Sequence, residues 1–193
     1  MFKYSLIMAA GRGSRMIPLT NDIPKAMAPY ANTTLIGSGI SYLNKKIPNI
    51  YVTVGYKGAI LAKHVISQGI SGLFDTSGHD NCWWIFNTLM SNLDEPVLVL
   101  TCDNIVLLDI QEVYNNYVYH GSPPCMLVPA KPLPGVEGDY IKSDIATNKV
   151  KSFLLIVVIL AERDTSVAAT FDPSFETVDG VPGPKLLTAL TLK

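Results

Sequence analysis

Little in this sequence offers a crosslink or a metal cage. The 193 residues include three cysteines, Cys82, Cys102 and Cys125. Their number is odd and no pair shows C-x-x-C spacing, which argues against a disulfide framework and a zinc site and for a reducing, cytoplasmic setting. His64, His79 and His120 are scattered without a ligand pattern, so surface or capping roles are expected of them. Charge is scarce too. Only 16% of residues are charged, the formal net charge is -1, and the 15 Lys and Arg form no basic stripe. Nucleic acid is therefore not an expected partner. The longest strictly apolar run, 153–161, falls far short of the ~20 residues that cross a bilayer as a helix, so no membrane span is expected. The opening MFKYSLIMAAGRGSR has no basic stretch of any length and passes directly into a Gly-rich turn, which reads as a first strand and not as a signal peptide.

What is present suits one globular domain: 48% of the residues are apolar, enough for a core at this length. Short apolar runs at 4–9, 50–54 and 97–101, bounded by turn residues or Pro, predict strands buried on both faces of a parallel sheet. Helices are predicted between them over 35–46, 57–67 and 84–93, with another over 110–120. This alternation predicts an α/β fold, a mostly parallel sheet flanked by helices. Past Cys125 the pieces CMLVPA, GDYIKSD and NKVKSF predict an antiparallel addition to the sheet. LLIVVIL, which follows, is a strand or a helix by periodicity, and VDGVPGPK reads as a loop.

The most informative segment is LIMAAGRGSRMIPLTNDIPKAMAP. Gly11 and Gly13 put two residues without Cβ at the tip of the first strand, where backbone N–H groups can cradle phosphate oxygens. Arg15 adds a cation. Lys25 adds a second if the PLTNDI loop doubles back to the same tip, and two cations on backbone amides make a polyphosphate site. Met16 stands where the dinucleotide fingerprint needs its third glycine, and no Walker loop is present. A G-x-G after a strand can also be a tight turn and nothing more. What remains is the longer pattern G-x-G-x-R-x-x-P-L-T-x-x-x-P-K-x-M-x-P.

Gly11, Gly13, Arg15, Pro18, Leu19, Thr20, Pro24, Lys25, Met27 and Pro29 together resemble the signature of the sugar-phosphate nucleotidylyltransferases, or nucleotide-sugar pyrophosphorylases. The resemblance extends more loosely to about residue 150. It implies a Rossmann-like nucleotidyltransferase fold, of the kind also called GT-A-like, with its site at the carboxyl ends of the parallel strands. It further implies that backbone around Ala9, Ala10, Gly11 and Gly13 holds the nucleotide, that Arg15 grips the β- and γ-phosphates, and that Lys25 stabilises the α-phosphate. The implied reaction joins a nucleoside triphosphate to a sugar 1-phosphate or similar molecule and releases pyrophosphate. The run IPKAMAP resembles guanylyltransferases for mannose or heptose phosphates and also cytidylyltransferases of cell-surface precursors, which implies envelope polysaccharide synthesis. A homo-oligomer is likewise implied as a possibility.

After the strand at 97–101, Asp103 and Asn104 stand at the tip. Asp103 is placed to hold Mg²⁺ against phosphate oxygens, a role the resemblance supports, with Cys102 where relatives carry glycine; capping the next turn is the alternative. By analogy Asn87 and Thr88 fall near the base, and Gly55-Tyr56-Lys57 shapes the pocket wall. Trp83 and Trp84 could stack on a base but are expected in the core. The resemblance also implies a Glu-Lys-Pro segment, the Lys and Glu meeting the sugar phosphate, after a strand that Asn148 to Phe153 fits. The acid and base are missing here. Two regions follow: 1–153 as the nucleotidyltransferase domain and 154–193 as a divergent or truncated segment of the same domain. The competing expectation is a degenerate relative that binds nucleotide without transfer.

Overall fold

The first strand, β1 (Tyr4–Met8), shows why the molecule folds as it does. Leu6 and Met8 point to one face and Ile7 to the other, as strand geometry requires, and all three are buried. Only a central strand covered on both sides can bury every apolar residue in this way. The structure is a computed structural model, and it describes residues 1–79, 83, 87–103, 108–130, 140–144, 146–147, 149–154 and 186–192.

β1 pairs in parallel with β4 (Asn49–Val54) on one side and β6 (Val97–Thr101) on the other, and β5 (Gly72–Asp75) extends the sheet in parallel beyond β4. The strands predicted at 4–9, 50–54 and 97–101 are all present. β5 is not among them, because three half-buried residues and an exposed Asp75 at an edge carry no long apolar run; Phe74 stacks on Tyr51 of β4 at 5.5 Å. A short hairpin of β2 (Pro29–Tyr30) and β3 (Thr33–Thr34) turns the chain into the first helix.

One face of the sheet, with Ile7, Val52 and Leu98, is covered by α1 (Leu35–Leu43), α2 (Gly58–Ile66) and α3 (Ile110–Tyr119). The caps follow residue chemistry. Thr34 accepts from the Gly37 amide at the start of α1, and Asp109 accepts from the amides of Gln111 and Glu112 at the start of α3. His64 joins α2 to the first cap, its Nε2 lying 2.9 Å from Thr34 Oγ1. The opposite face, with Leu6, Met8 and Val99, is covered by Met90, Leu93 and Trp83. Here the helix predicted over 84–93 is corrected within the described residues to a 3₁₀ turn, Leu89–Asn92. Thr88 is extended and accepts from Met90, and Ser91 donates back to the Thr88 carbonyl at 2.9 Å, so local side-chain bonds compete with a longer helix. Residues 84–86, and with them Trp84, lie outside the described residues, as do 104–107, 155–185 and Cys82.

Beyond β6 the sheet order runs β6, β10 (Leu186–Leu192), β7 (Cys125–Ala130). β10 is antiparallel to both neighbours, so β7 runs parallel to β6. The expected antiparallel addition after residue 125 is therefore present, and differs in which pieces form it. Of the pieces after Cys125 only CMLVPA joins the main sheet, while β8 (Tyr140–Ser143) and β9 (Val150–Leu154) pair antiparallel as a separate two-stranded sheet. The edge of β6 is filled instead by β10, a segment to which no strand was assigned from the sequence. The fold is a Rossmann-like mostly parallel sheet flanked by helices. Among the described residues no helix is long and apolar enough to cross a membrane.

Candidate active site

Four parallel strands end on the same edge of the sheet, and the segments leaving them meet there: Ala9 to Gly13 after β1, Gly55 to Lys57 after β4, Thr76 to His79 after β5, and Cys102 with Asp103 after β6. Their approach is very close. A Cβ on Gly55 would lie 2.8 Å from both the Cβ and the carbonyl oxygen of Ala10, so only glycine lets the two turns touch. The Tyr56 amide then donates to the Ala10 carbonyl at 2.9 Å. Ala9 is fixed from below, its buried amide donating to Thr53 Oγ1 at 2.9 Å.

Ala10 and Gly11, with Gly55, Tyr56 and Thr76 to His79, line a cavity of about 400 Å³. That volume falls within the range of small-molecule sites. A Cβ on Gly11 would meet nothing within 4 Å, so the backbone there is open to a ligand. The turn after β5 is shaped by Asp75, which accepts from the Ser77 hydroxyl at 2.6 Å and its amide at 3.0 Å. The Ser77 hydroxyl, then its amide, hold the Asp75 carboxyl below the usual carboxylate value.

Gly13 is left-handed at φ 73°, and a Cβ there would lie 2.6 Å from the Cβ of Lys25. The PLTNDI loop therefore does double back. Pro24 leads into a 3₁₀ turn, Lys25–Met27, anchored by fully buried Ala26. This brings the Lys25 ammonium onto Asp103, to whose Oδ2 it donates. The fold thus joins at one point two groups 78 positions apart in sequence. Burial works to raise the Asp103 carboxyl, but the Lys25 hydrogen bond and charge, helped by the Thr101 hydroxyl, leave it below the ordinary value. Asp103 is thus an ionised carboxylate at a strand tip. Beside it the Cys102 thiol is pushed up to about 12, first by burial and then by the Asp103 charge. Arg15 is exposed in the turn Ser14–Met16, directly after Gly13.

Asn87 and Thr88 are placed differently. Thr88 is buried as the cap of its turn, and Asn87 is exposed and donates to the Trp83 carbonyl; neither lines the cavity. Trp83 packs into the core beneath β1 and β6, and its ring stacks at 3.7 Å on His79, which does line the cavity. Sequence reasoning did not single out Thr53 for the site, because a hydroxyl inside a strand carries no local signal.

The description of the matching family is nucleotidyl transferase, and its model covers residues 4–153. The chain belongs to this family. The resemblance to sugar-phosphate nucleotidylyltransferases in residues 11–29 agrees with it. Among curated relatives, the chain is 26% identical over 114 residues to the bifunctional protein GlmU of Methanococcus aeolicus, covering 59% of this chain and 28% of that protein. It is 38% identical over 77 residues to a CTP:phosphoglutamine cytidylyltransferase of Campylobacter jejuni, covering 39% and 30%. With the D-glycero-alpha-D-manno-heptose 1-phosphate guanylyltransferase of Aneurinibacillus thermoaerophilus it shares 24% over 121 residues, covering 59% and 52%. The matches thus span between 28% and 52% of these relatives' lengths. The fold is similar to that of HddC from Yersinia pseudotuberculosis complexed with GMP-PN, with a TM-score of 0.72 at 15% identity, covering all of this chain and 76% of that one.

Proposed function

We propose that this chain transfers a nucleotidyl group from a nucleoside triphosphate to a sugar 1-phosphate or similar phosphorylated small molecule, releasing pyrophosphate. The observation that carries this reading is the meeting of Lys25 and Asp103 beside the Gly11–Gly13 turn. An acceptor phosphate oxygen attacks the α-phosphorus in line, the new P–O bond forms, and the bond to the β-phosphate breaks with its electron pair leaving on pyrophosphate. Such chemistry needs positioning and charge stabilisation more than covalent help from the protein. An ammonium has three donors, so Lys25 can keep Asp103 and still donate to an α-phosphate oxygen. Arg15 would hold the β- and γ-phosphates. Open backbone at Ala10 and Gly11 would receive the nucleotide, and the cavity toward His79 would take the base.

Asp103 suits Mg²⁺, which is usually held by one or two carboxylates together with substrate phosphates. Among the described residues no group of three or more acidic, His or Cys side chains is placed to hold a metal ion. When bound at Asp103, the ion supplies neutralisation of phosphate charge. Asn87 remains in this proposal only through its bond to the Trp83 carbonyl, and Thr88 only as the cap of its turn. The heptose 1-phosphate guanylyltransferase among the relatives, with IPKAMAP in this chain, supports a role in envelope polysaccharide synthesis. Use of nucleoside triphosphates fits a cytoplasmic setting, and a homo-oligomer would be consistent with the resemblance. We place 1–153 as the catalytic domain and 154–193 as a divergent part of it.

The test is calorimetry of ATP, CTP, GTP, UTP and dTTP with Mg²⁺, alongside pyrophosphate release with a panel of sugar 1-phosphates. Lys25→Ala should lower turnover by about a hundredfold or more, the scale of losing one electrostatic stabiliser. A near-normal rate in that variant would sink the assignment. Binding without release with every acceptor would instead support the degenerate nucleotide-binding relative.

A further inference from the structure

Tyr56 makes more contacts across the site than lining a cavity requires. Its amide holds the Ala10 carbonyl and its hydroxyl donates to the Thr20 carbonyl, each at 2.9 Å. Thr20, fully buried, donates its own hydroxyl to the Gly13 carbonyl at 3.1 Å. Gly13 packs against the side chain of Lys25, whose ammonium reaches Asp103. A continuous set of contacts therefore leads from a phenol at the exit of β4 to the lysine at the tips of β1 and β6. The ring face is engaged as well, with the Arg12 guanidinium 5.1 Å from its centroid.

The loop that this set of contacts crosses has little else to hold it. Between Ser14 and Ile23, Thr20 is the one buried residue. Segments with few buried apolar contacts open locally at low cost, so their geometry depends on the hydrogen bonds they keep. The loop is also what returns the chain from Gly13 to Lys25.

We propose that Tyr56 is a positioning residue whose hydroxyl, acting through Thr20 and Gly13, holds Lys25 where it meets the triphosphate. This rests on the nucleotidyl-transfer reading of Lys25. Tyr56→Phe keeps the ring and its cation contacts and removes only the hydroxyl. Thr20→Val removes the next link, and Thr20→Ser restores it.

Two measurements decide the proposal. Amide hydrogen exchange along residues 13–28 should quicken about fivefold in Tyr56→Phe and in Thr20→Val, the factor of one ordinary net hydrogen bond, and return toward wild type in Thr20→Ser. Nucleoside triphosphate affinity by calorimetry should fall about fivefold in Tyr56→Phe, yet change less than about twofold when the same substitution is made in a Lys25→Met background. Unchanged exchange overturns the proposal whether or not the protein binds nucleotide. Equal affinity losses in both backgrounds overturn it too, because Tyr56 would then act independently of Lys25. A wild-type protein that binds no nucleoside triphosphate refutes the functional reading instead, and exchange alone then judges the positioning role.

Discussion

Gly11 and Gly13 look alike in the sequence, yet the structure assigns them opposite sensitivities to one added methyl group. At Gly13 an alanine has to adopt φ 73° and place its Cβ 2.6 Å from the Cβ and 3.0 Å from the Cγ of Lys25. The left-handed conformation costs about 1–2 kcal/mol for a residue with a Cβ. Overpacking against a side chain that is itself held by Asp103 adds about 1–3 kcal/mol. The sum, about 2–5 kcal/mol, lowers the melting temperature by about 4–20 °C in a chain of this size. At Gly11 the added Cβ meets nothing within 4 Å, so Gly11→Ala should melt within about 2 °C of wild type. That methyl instead occupies the space offered to the nucleotide and should weaken nucleoside triphosphate binding at least about tenfold. Thermal melts and calorimetry on the two variants test both halves. A Gly13→Ala protein that melts with wild type, or a Gly11→Ala protein with wild-type affinity, would refute the reasoning at that position.

Three further outcomes are expected. Thr53→Val leaves the buried Ala9 amide without its acceptor and should cost about 1–3 kcal/mol in chemical denaturation, while Thr53→Ser should recover most of it. Because the folded-state Asp103 carboxyl is depressed, its contribution to stability is fully present above the unfolded-state pKa and is lost as pH falls through the lower folded value. Asp103→Asn should accordingly flatten part of the decline in melting temperature between neutral pH and about pH 3, and parallel curves for variant and wild type would contradict this. Cys102, with its thiol pushed up to about 12, should resist iodoacetamide at neutral pH in the folded protein and react after denaturation, as peptide mass mapping would show.

The Gly-rich turn was legible because its parts lie within one stretch of chain: Gly13, Thr20 and Lys25 meet through a loop whose length and turn residues are written contiguously. Asp103 was legible for a different reason. An apolar run ending in an acid predicts a strand with a carboxylate at its tip, and the β1–β6 register, Met8 opposite Thr101, sets that tip beside the turn. Where sequence reasoning ran short, the deciding contact was distant or the local signal ambiguous. Tyr56 acquires its partner at Thr20 only when β4 lies beside β1. The stretch around Thr88 has helical composition, but a threonine free to accept from Met90 settles it as a short turn. The identity of the strand beside β6 could not be read locally at all, since 97–101 and 186–192 lie far apart in the sequence.

That last pairing has a bearing on how the protein is made. A ribosome that has delivered β6 has still to synthesise Leu190, Thr191 and Leu192, the residues that pair with Val99, Leu98 and Val97. For that interval one side of VLVLT presents unpaired backbone groups on an apolar segment, the kind of edge that recruits other strands. Nascent chains of this protein should therefore depend on chaperone cover until residues 190–192 emerge, well after the Gly-rich turn and its lysine.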